Sequence, residues 1–175
     1  MYGFHLWLPK AHVEASVEGS MILAGVLLKL GRYGIFRIFI FLSVSLEIFL
    51  IILLRLRLVR CVIVGFICYR QIDIKMIIAY SSVAHMGILL GGLLSLSKIG
   101  AYGGLRMILA HGFCSRGLFF MGNIFYIYYK TRNLLFMKGR DQLSQVLMNI
   151  WLIFRFIRMG VPPFINFCSE ILLLV

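Results

Sequence analysis

One stretch limits what this chain can become. Gly19-Ser-Met-Ile-Leu-Ala-Gly-Val-Leu-Leu-Lys-Leu30 is apolar until it reaches Lys29. If a helix runs from about residue 18 to 42, the lysine lies roughly 17 Å along it, at ~1.5 Å per residue. That depth is near the middle of a ~30 Å hydrocarbon slab. An ammonium there costs roughly 2.5–3.5 kcal/mol or more. A charge held against such a cost points to a counter-ion, an ion pathway or a proton carrier.

Composition makes the slab the right solvent to reason with. Hydrophobic residues make up 62% of the 175 and charged residues 14%, whereas soluble domains sit near about 45–50% and about 25%. The apolar runs lack the strict alternation of a membrane barrel, so the expected fold is all-α: a polytopic transmembrane helix bundle. The formal charge of +12 is scattered among apolar runs rather than gathered on one basic face, so no nucleic-acid partner is expected; the partners are lipid bilayer and other membrane chains. Cys61, Cys68, Cys114 and Cys168 form no CxxC pair and all sit in apolar sequence, as buried reduced thiols would.

Five spans are expected, at about 18–42, 45–70, 73–97, 100–129 and 145–175. Residues 1–17 read as an interfacial or re-entrant segment that Pro9 breaks. His5 and His12 within it fit no common zinc spacing, and no metal site is expected. Gly31 and Gly34 are placed to loosen the first helix after its lysine. Asp73 suits the positive end of the third helix, and Gly87 and Gly91 give that helix a GxxxG spacing for close packing. In the fourth, Tyr126, Tyr128 and Tyr129 followed by Lys130 and Arg132 look like an interfacial end. Val161-Pro162-Pro163 must break the last helix, because adjacent prolines remove two backbone donors.

Lys29, His111 and Glu170 lie at membrane depth on three different helices, and each can exchange a proton. With water between them, such groups can pass a proton stepwise. The plainer readings are a snorkelling lysine, a packing histidine and a salt-bridge glutamate. Ser81 and His85 share a helix face at i, i+4; they line a wet path or bond across helices. No GxGxxG or Walker loop occurs, so the chain is expected to bind no nucleotide.

Several motifs occur together in order: His5-Leu-Trp-Leu-Pro-Lys-Ala-His-Val-Glu14, Gly19 to Gly31, Arg70-Gln-Ile-Asp-Ile-Lys75, Ile78-Ala-Tyr-Ser-Ser-Val-Ala-His-Met-Gly87, Ala110-His-Gly112, Gly117-Leu-Phe-Phe120 and Met159-Gly-Val-Pro-Pro163. With them the chain resembles the chain 4 family of mitochondrial NADH–ubiquinone oxidoreductase. These are antiporter-like, proton-pumping membrane subunits of respiratory complex I. The resemblance implies a multi-pass protein of the mitochondrial inner membrane, partnered by other complex I membrane subunits. It also implies roles: Lys29 as the mid-membrane relay lysine, His111 as the histidine of the following relay helix, Glu170 as the acid beyond the broken helix, and His85 as a further candidate. No cofactor is expected in this chain; NADH, FMN, iron–sulfur clusters and ubiquinone act elsewhere in the parent complex. The alternatives are a subunit of a cation/proton antiporter, or a non-functional partial or mistranslated copy.

Family members are over twice this length, so the chain is expected to be a fragment, residues 1–175 of one proton-translocating domain. Arginine also stands where the family has small residues. Arg32 and Arg116 are the clearest cases, and Arg55, Arg57, Arg60, Arg106, Arg155 and Arg158 also interrupt apolar sequence. Ser16 and Glu18 depart too, where the family tends to have proline and a small residue. An invertebrate-type mitochondrial code reads AGA and AGG as serine, and the standard code reads them as arginine. The same mismatch turns tryptophan codons into stops, which would leave ragged ends. A degraded nuclear copy is the competing account. The expectation is AGA or AGG at Arg32, Arg116 and Arg158; sequencing that finds CGN there refutes the recoding.

Overall fold

The computed structural model describes residues 7–42, 47–95, 97–137 and 145–174. Its helices are α1 Trp7–Glu14, α2 Val17–Ile22, α3 Leu28–Leu42, α4 Glu47–Tyr69, α5 Ile74–Leu94, α6 Lys98–Tyr129, α7 Leu134–Met137, α8 Gln145–Arg158 and α9 Ile165–Leu174. A π turn, Leu23–Leu27, joins α2 to α3. No strand occurs among the described residues, and the fold is the expected all-α one. Helices occupy the stretches expected as spans: α2–α3, α4, α5, α6 and the broken pair α8/α9. By length and composition, Ile74–Leu93 is the helix among the described residues that could cross a membrane. Arginines dilute α4 and α6, and the proline break shortens α8 and α9.

α6 is the hub. It packs on α5, α9, α2, the π turn and α8, while α4 lies along α5 and α1 rests on α5. One core layer joins Ala24, Ile78, Ala79, Cys114, Leu118 and Phe119; a second joins Met86, Leu89, Leu93, Met107 and Ile108. α5 and α6 are fastened at one end. Ile74 N–H donates to Arg132 O at 3.2 Å and Leu134 N–H to Ile72 O at 3.1 Å, around an antiparallel bridge between Asp73 and Asn133. Asp73 is the N-cap residue of α5 but makes no side-chain cap bond, so the bridge orders this end. At the same end Arg132 lies over the Tyr126 ring, 5.0 Å from its centroid.

Three local expectations need correcting. Pro9 does not break α1: it falls in the first turn, where a missing N–H loses no intrahelical bond. The irregularity near the lysine precedes it, at Leu23–Leu27, while α3 runs straight through Gly31 and Gly34. Close packing is not made at Gly91, where an added Cβ would meet nothing within 4 Å. It is made at Gly103 and Gly104 of α6, where a Cβ would lie 2.9 Å from Leu172 Cβ and 2.8 Å from Leu93 Cδ2. Ser16 has a clear local role, its Oγ accepting Gly19 N–H at 3.3 Å as the N-cap of α2. Glu18 sits exposed in that first turn, where the helix dipole tolerates it.

The break is built as expected. α8 stops at Arg158, Gly160 takes φ +66°, and the chain turns through Val161-Pro162-Pro163 into α9. Val161 N–H reaches back to Phe156 O at 3.3 Å, closing the helix end. α8 buries none of its described residues. The rest of the exterior is also apolar, with Phe66 73% and Phe113 70% exposed, a surface that suits lipid or neighbouring membrane chains.

Gly103→Val is expected to drive Leu172 and its backbone away, costing about 1–3 kcal/mol. Gly34→Ala, with open space around it, should be neutral or gain about 0.5–1 kcal/mol from helix propensity. The thermal unfolding temperature in detergent measures both.

Candidate proton-relay site

Lys29 is the second residue after the widened turn. π turns recur at functional sites, because the extra residue reorients the groups beside it. The lysine is 9% exposed, and its Nζ donates to Gly25 O at 3.0 Å, inside that turn. On the other side it lies against α6: a Cβ built on Gly112 would be 2.6 Å from Nζ and 3.2 Å from Cε. The ammonium is therefore next to the backbone of the residue that follows His111.

His111 is 3% exposed, and neither ring nitrogen has a hydrogen-bond partner. Its ring faces His85 of α5, with centroids 6.1 Å apart and planes tilted by 50°. His85 in turn approaches Glu170 of α9, Nδ1 to Oε1 at 3.3 Å, an ion-pair distance when the imidazole is protonated. The second carboxylate oxygen lies over Gly160, where a Cβ would be 2.6 Å from Oε2. His111, His85 and Glu170 thus form one row across three helices, and Lys29 packs beside its His111 end, over the backbone of Gly112. Sequence reasoning named all four, but it left His85 at the margin; here His85 bridges the other two side chains. The seats at Gly112 and Gly160 were missed. Their only sequence signal is a glycine beside His111 in one case and before Val-Pro-Pro in the other.

Ser81 does not bond across helices: its hydroxyl donates to Ile77 O at 2.6 Å and to Ile78 O at 3.0 Å on its own helix. It nevertheless shares with His85 the wall of a cavity of about 360 Å³, which Trp151, Arg155, Arg158 and Met159 close from α8 and its end. The face therefore borders open space beside the row.

His12 is fully buried and stacks on Phe119, with centroids 4.8 Å apart. It packs a non-spanning segment against α6, and burial, reinforced by the Lys75 ammonium, pushes its imidazole down to about 4. His5 lies outside the described residues. The cysteines are free, but they are not uniformly buried: Cys114 is buried, Cys61 and Cys68 are half-buried, and Cys168 is exposed.

The arginines divide into two groups. Arg155 lies over Trp151 at 5.1 Å, and Arg55 and Arg106 point outward. The side chain of Arg57 lies outside the described residues. Arg116 and Arg158 instead enter the interior. Arg116 folds back to donate to Gly112 O at 3.2 Å, and its Cδ would lie 2.7 Å from a Cβ on Gly25. Arg116 and Arg32 act electrostatically on Lys29, so cations crowd the lysine. Arg158 donates to Ile78 O at 3.1 Å, but its Nε and Nη1 are buried with no hydrogen-bond partner.

The family described as NADH:quinone oxidoreductase/Mrp antiporter, TM, matches residues 1–175. The chain is 48% identical over 174 residues to NADH-ubiquinone oxidoreductase chain 4 of Aedes aegypti. It is 46% identical over 174 residues to the protein of that name in Ceratitis capitata, and 42% identical over 175 residues to that of Branchiostoma floridae. These alignments cover 99–100% of this chain but 39% of each relative, so the chain spans about two-fifths of the length of the curated relatives it matches.

Arg158→Ser removes a buried guanidinium with two unmet donors, a group costing roughly 2.5–3.5 kcal/mol at membrane depth. After the loss of one hydrogen bond and some packing, a net gain of about 1 kcal/mol is expected. A higher thermal unfolding temperature in detergent would show it.

Proposed function

The chain belongs to the family of NADH:quinone oxidoreductase and Mrp antiporter transmembrane subunits, and on that premise we propose that it is part of a proton-translocating membrane subunit of respiratory NADH–ubiquinone oxidoreductase. In this reading residues 1–175 belong to one antiporter-like domain, multi-pass in the mitochondrial inner membrane and flanked by the complex's other membrane subunits. NADH, FMN, iron–sulfur clusters and ubiquinone do their chemistry in the wider assembly. This chain moves protons.

The observation that carries the reading is the row of titratable groups from His111 through His85 to Glu170, with Lys29 packed on the backbone next to His111. A proton leaving Lys29 passes to His111, whose two free ring nitrogens let it accept on one and release from the other. Ring centroids 6.1 Å apart suit transfer through a bridging water. His85 hands the proton to Glu170 at 3.3 Å. Each hop is reversible, so direction comes from charge movement in neighbouring subunits. The antiporter alternative shares the family, but the three relatives carry the oxidoreductase name, which favours the first reading.

One further reading has its own support. We infer that Arg116 and Arg158 are serine in the natural polypeptide. A serine hydroxyl at either position returns its hydrogen bond to its own helix and leaves no buried charge beside the relay.

The test replaces Lys29 in the full-length subunit of the parent complex, reconstituted in vesicles. Lys29→Met should lower proton translocation by about tenfold or more, a barrier increase of ~1.4 kcal/mol or above. Lys29→Arg, which keeps the charge but releases no proton, should fail equally. Undiminished pumping in Lys29→Met would exclude the lysine from the path.

A further inference from the structure

We infer that Gly112 and Gly160 are positioning residues of the relay, each leaving bare the patch of backbone on which one of its terminal charged groups rests. The inference rests on the relay reading above and extends it to two residues that carry no proton themselves.

Neither glycine is explained by its own backbone conformation alone. Gly112 sits inside α6 with ordinary helical backbone, where alanine is the better helix former. What alanine would meet there is the end of Lys29: its Cβ would stand 2.6 Å from Nζ, 3.2 Å from Cε and 3.6 Å from Cδ. The last three atoms of the lysine therefore lie flat over the missing side chain. Gly160 does need its positive φ, +66°, to turn the chain into the proline break. It has a second reason to stay bare, since a Cβ would lie 2.6 Å from Glu170 Oε2, 3.3 Å from Cδ and 3.6 Å from Oε1. Oε1 is the oxygen that faces His85, so a group pushing on the carboxylate changes that contact directly.

The other described glycines set the contrast. Gly103 and Gly104 meet leucines, Gly117 meets Phe154, and Gly31, Gly34 and Gly91 meet nothing within 4 Å. At Gly112 and Gly160 the first atom met belongs to a relay group. Both groups end flexible side chains, so an added methyl moves the charge and leaves the fold standing. Positioning and folding are thereby separable.

The experiment uses the full-length subunit in the parent complex, with Gly112→Ala, Gly112→Ser, Gly160→Asn and, as control, Gly91→Ala. Asparagine tolerates positive φ, so Gly160→Asn adds a Cβ with little backbone strain. Assembly is read on native gels. Proton translocation is read in vesicles across pH, and the protonation of Glu170 by its infrared carboxyl band, assigned with Glu170→Gln. All four variants should assemble as the native subunit does. The Gly112 and Gly160 variants should lose roughly tenfold to a hundredfold in translocation, the scale of a misplacement near 1 Å. Their pH profiles should shift, and Gly160→Asn should move the carboxyl titration; Gly91→Ala should change nothing. Native rates and pH profiles in the Gly112 and Gly160 variants, alongside loss of pumping in Lys29→Met and Glu170→Gln, would overturn this inference and leave the relay standing. Failed assembly of both Gly112 variants would also overturn it, by making Gly112 a packing residue. Full pumping in Lys29→Met and Glu170→Gln would instead remove the relay reading itself.

Discussion

A charged group can leave water only if something else is arranged around it. Lys29 meets this condition with a carbonyl from its own π turn on one side and the bare backbone of α6 on the other. Much of the architecture follows from that. α6 must come close, so it carries glycine where the lysine lies. It is also the helix on which α2, α5, α8 and α9 converge, so the residue beside the lysine's seat, His111, stands where those helices meet. Small residues on α6 bring the helices close, and closeness puts the titratable side chains within reach of one another.

How much of this could be read in the sequence depends on which force wrote it. Helix positions follow from apolar runs and their punctuation, and helices occupy the stretches the sequence marks as apolar runs. The break at Val161-Pro162-Pro163 was legible because the missing backbone donors admit no continuous helix. Pro9 was misread because its consequence depends on where the helix begins, and a first-turn proline is harmless. Gly31, Gly34 and Gly91 were assigned local roles that the structure gives to other residues. A glycine's meaning lies in what approaches it from elsewhere in the chain, and a sequence pattern does not reveal the visitor.

The candidate site shows the same division. Lys29, His111 and Glu170 were legible as charges where charges are costly. His85 was ambiguous, since a histidine one turn from a serine fits a wet path and a helix contact equally well. The structure puts the Ser81 hydroxyl on its own backbone and His85 between His111 and Glu170. The arginines stood out in the sequence for the reason they stand out in three dimensions. Those at the periphery lie over aromatic rings or point outward, whereas Arg158 holds two buried donors with nothing to receive them.

The fastening of α5 to α6 has one more consequence. Two backbone hydrogen bonds, those of the Asp73–Asn133 bridge, tie these helices at one end, so they cannot slide past one another without breaking the knot. His85 and His111, one on each helix, are thereby held at a fixed spacing. Lys29 and Glu170 hang on long side chains beside irregular backbone, a π turn and a proline corner. Any latitude for a switch therefore belongs to the two ends of the row, and its middle keeps a constant stride.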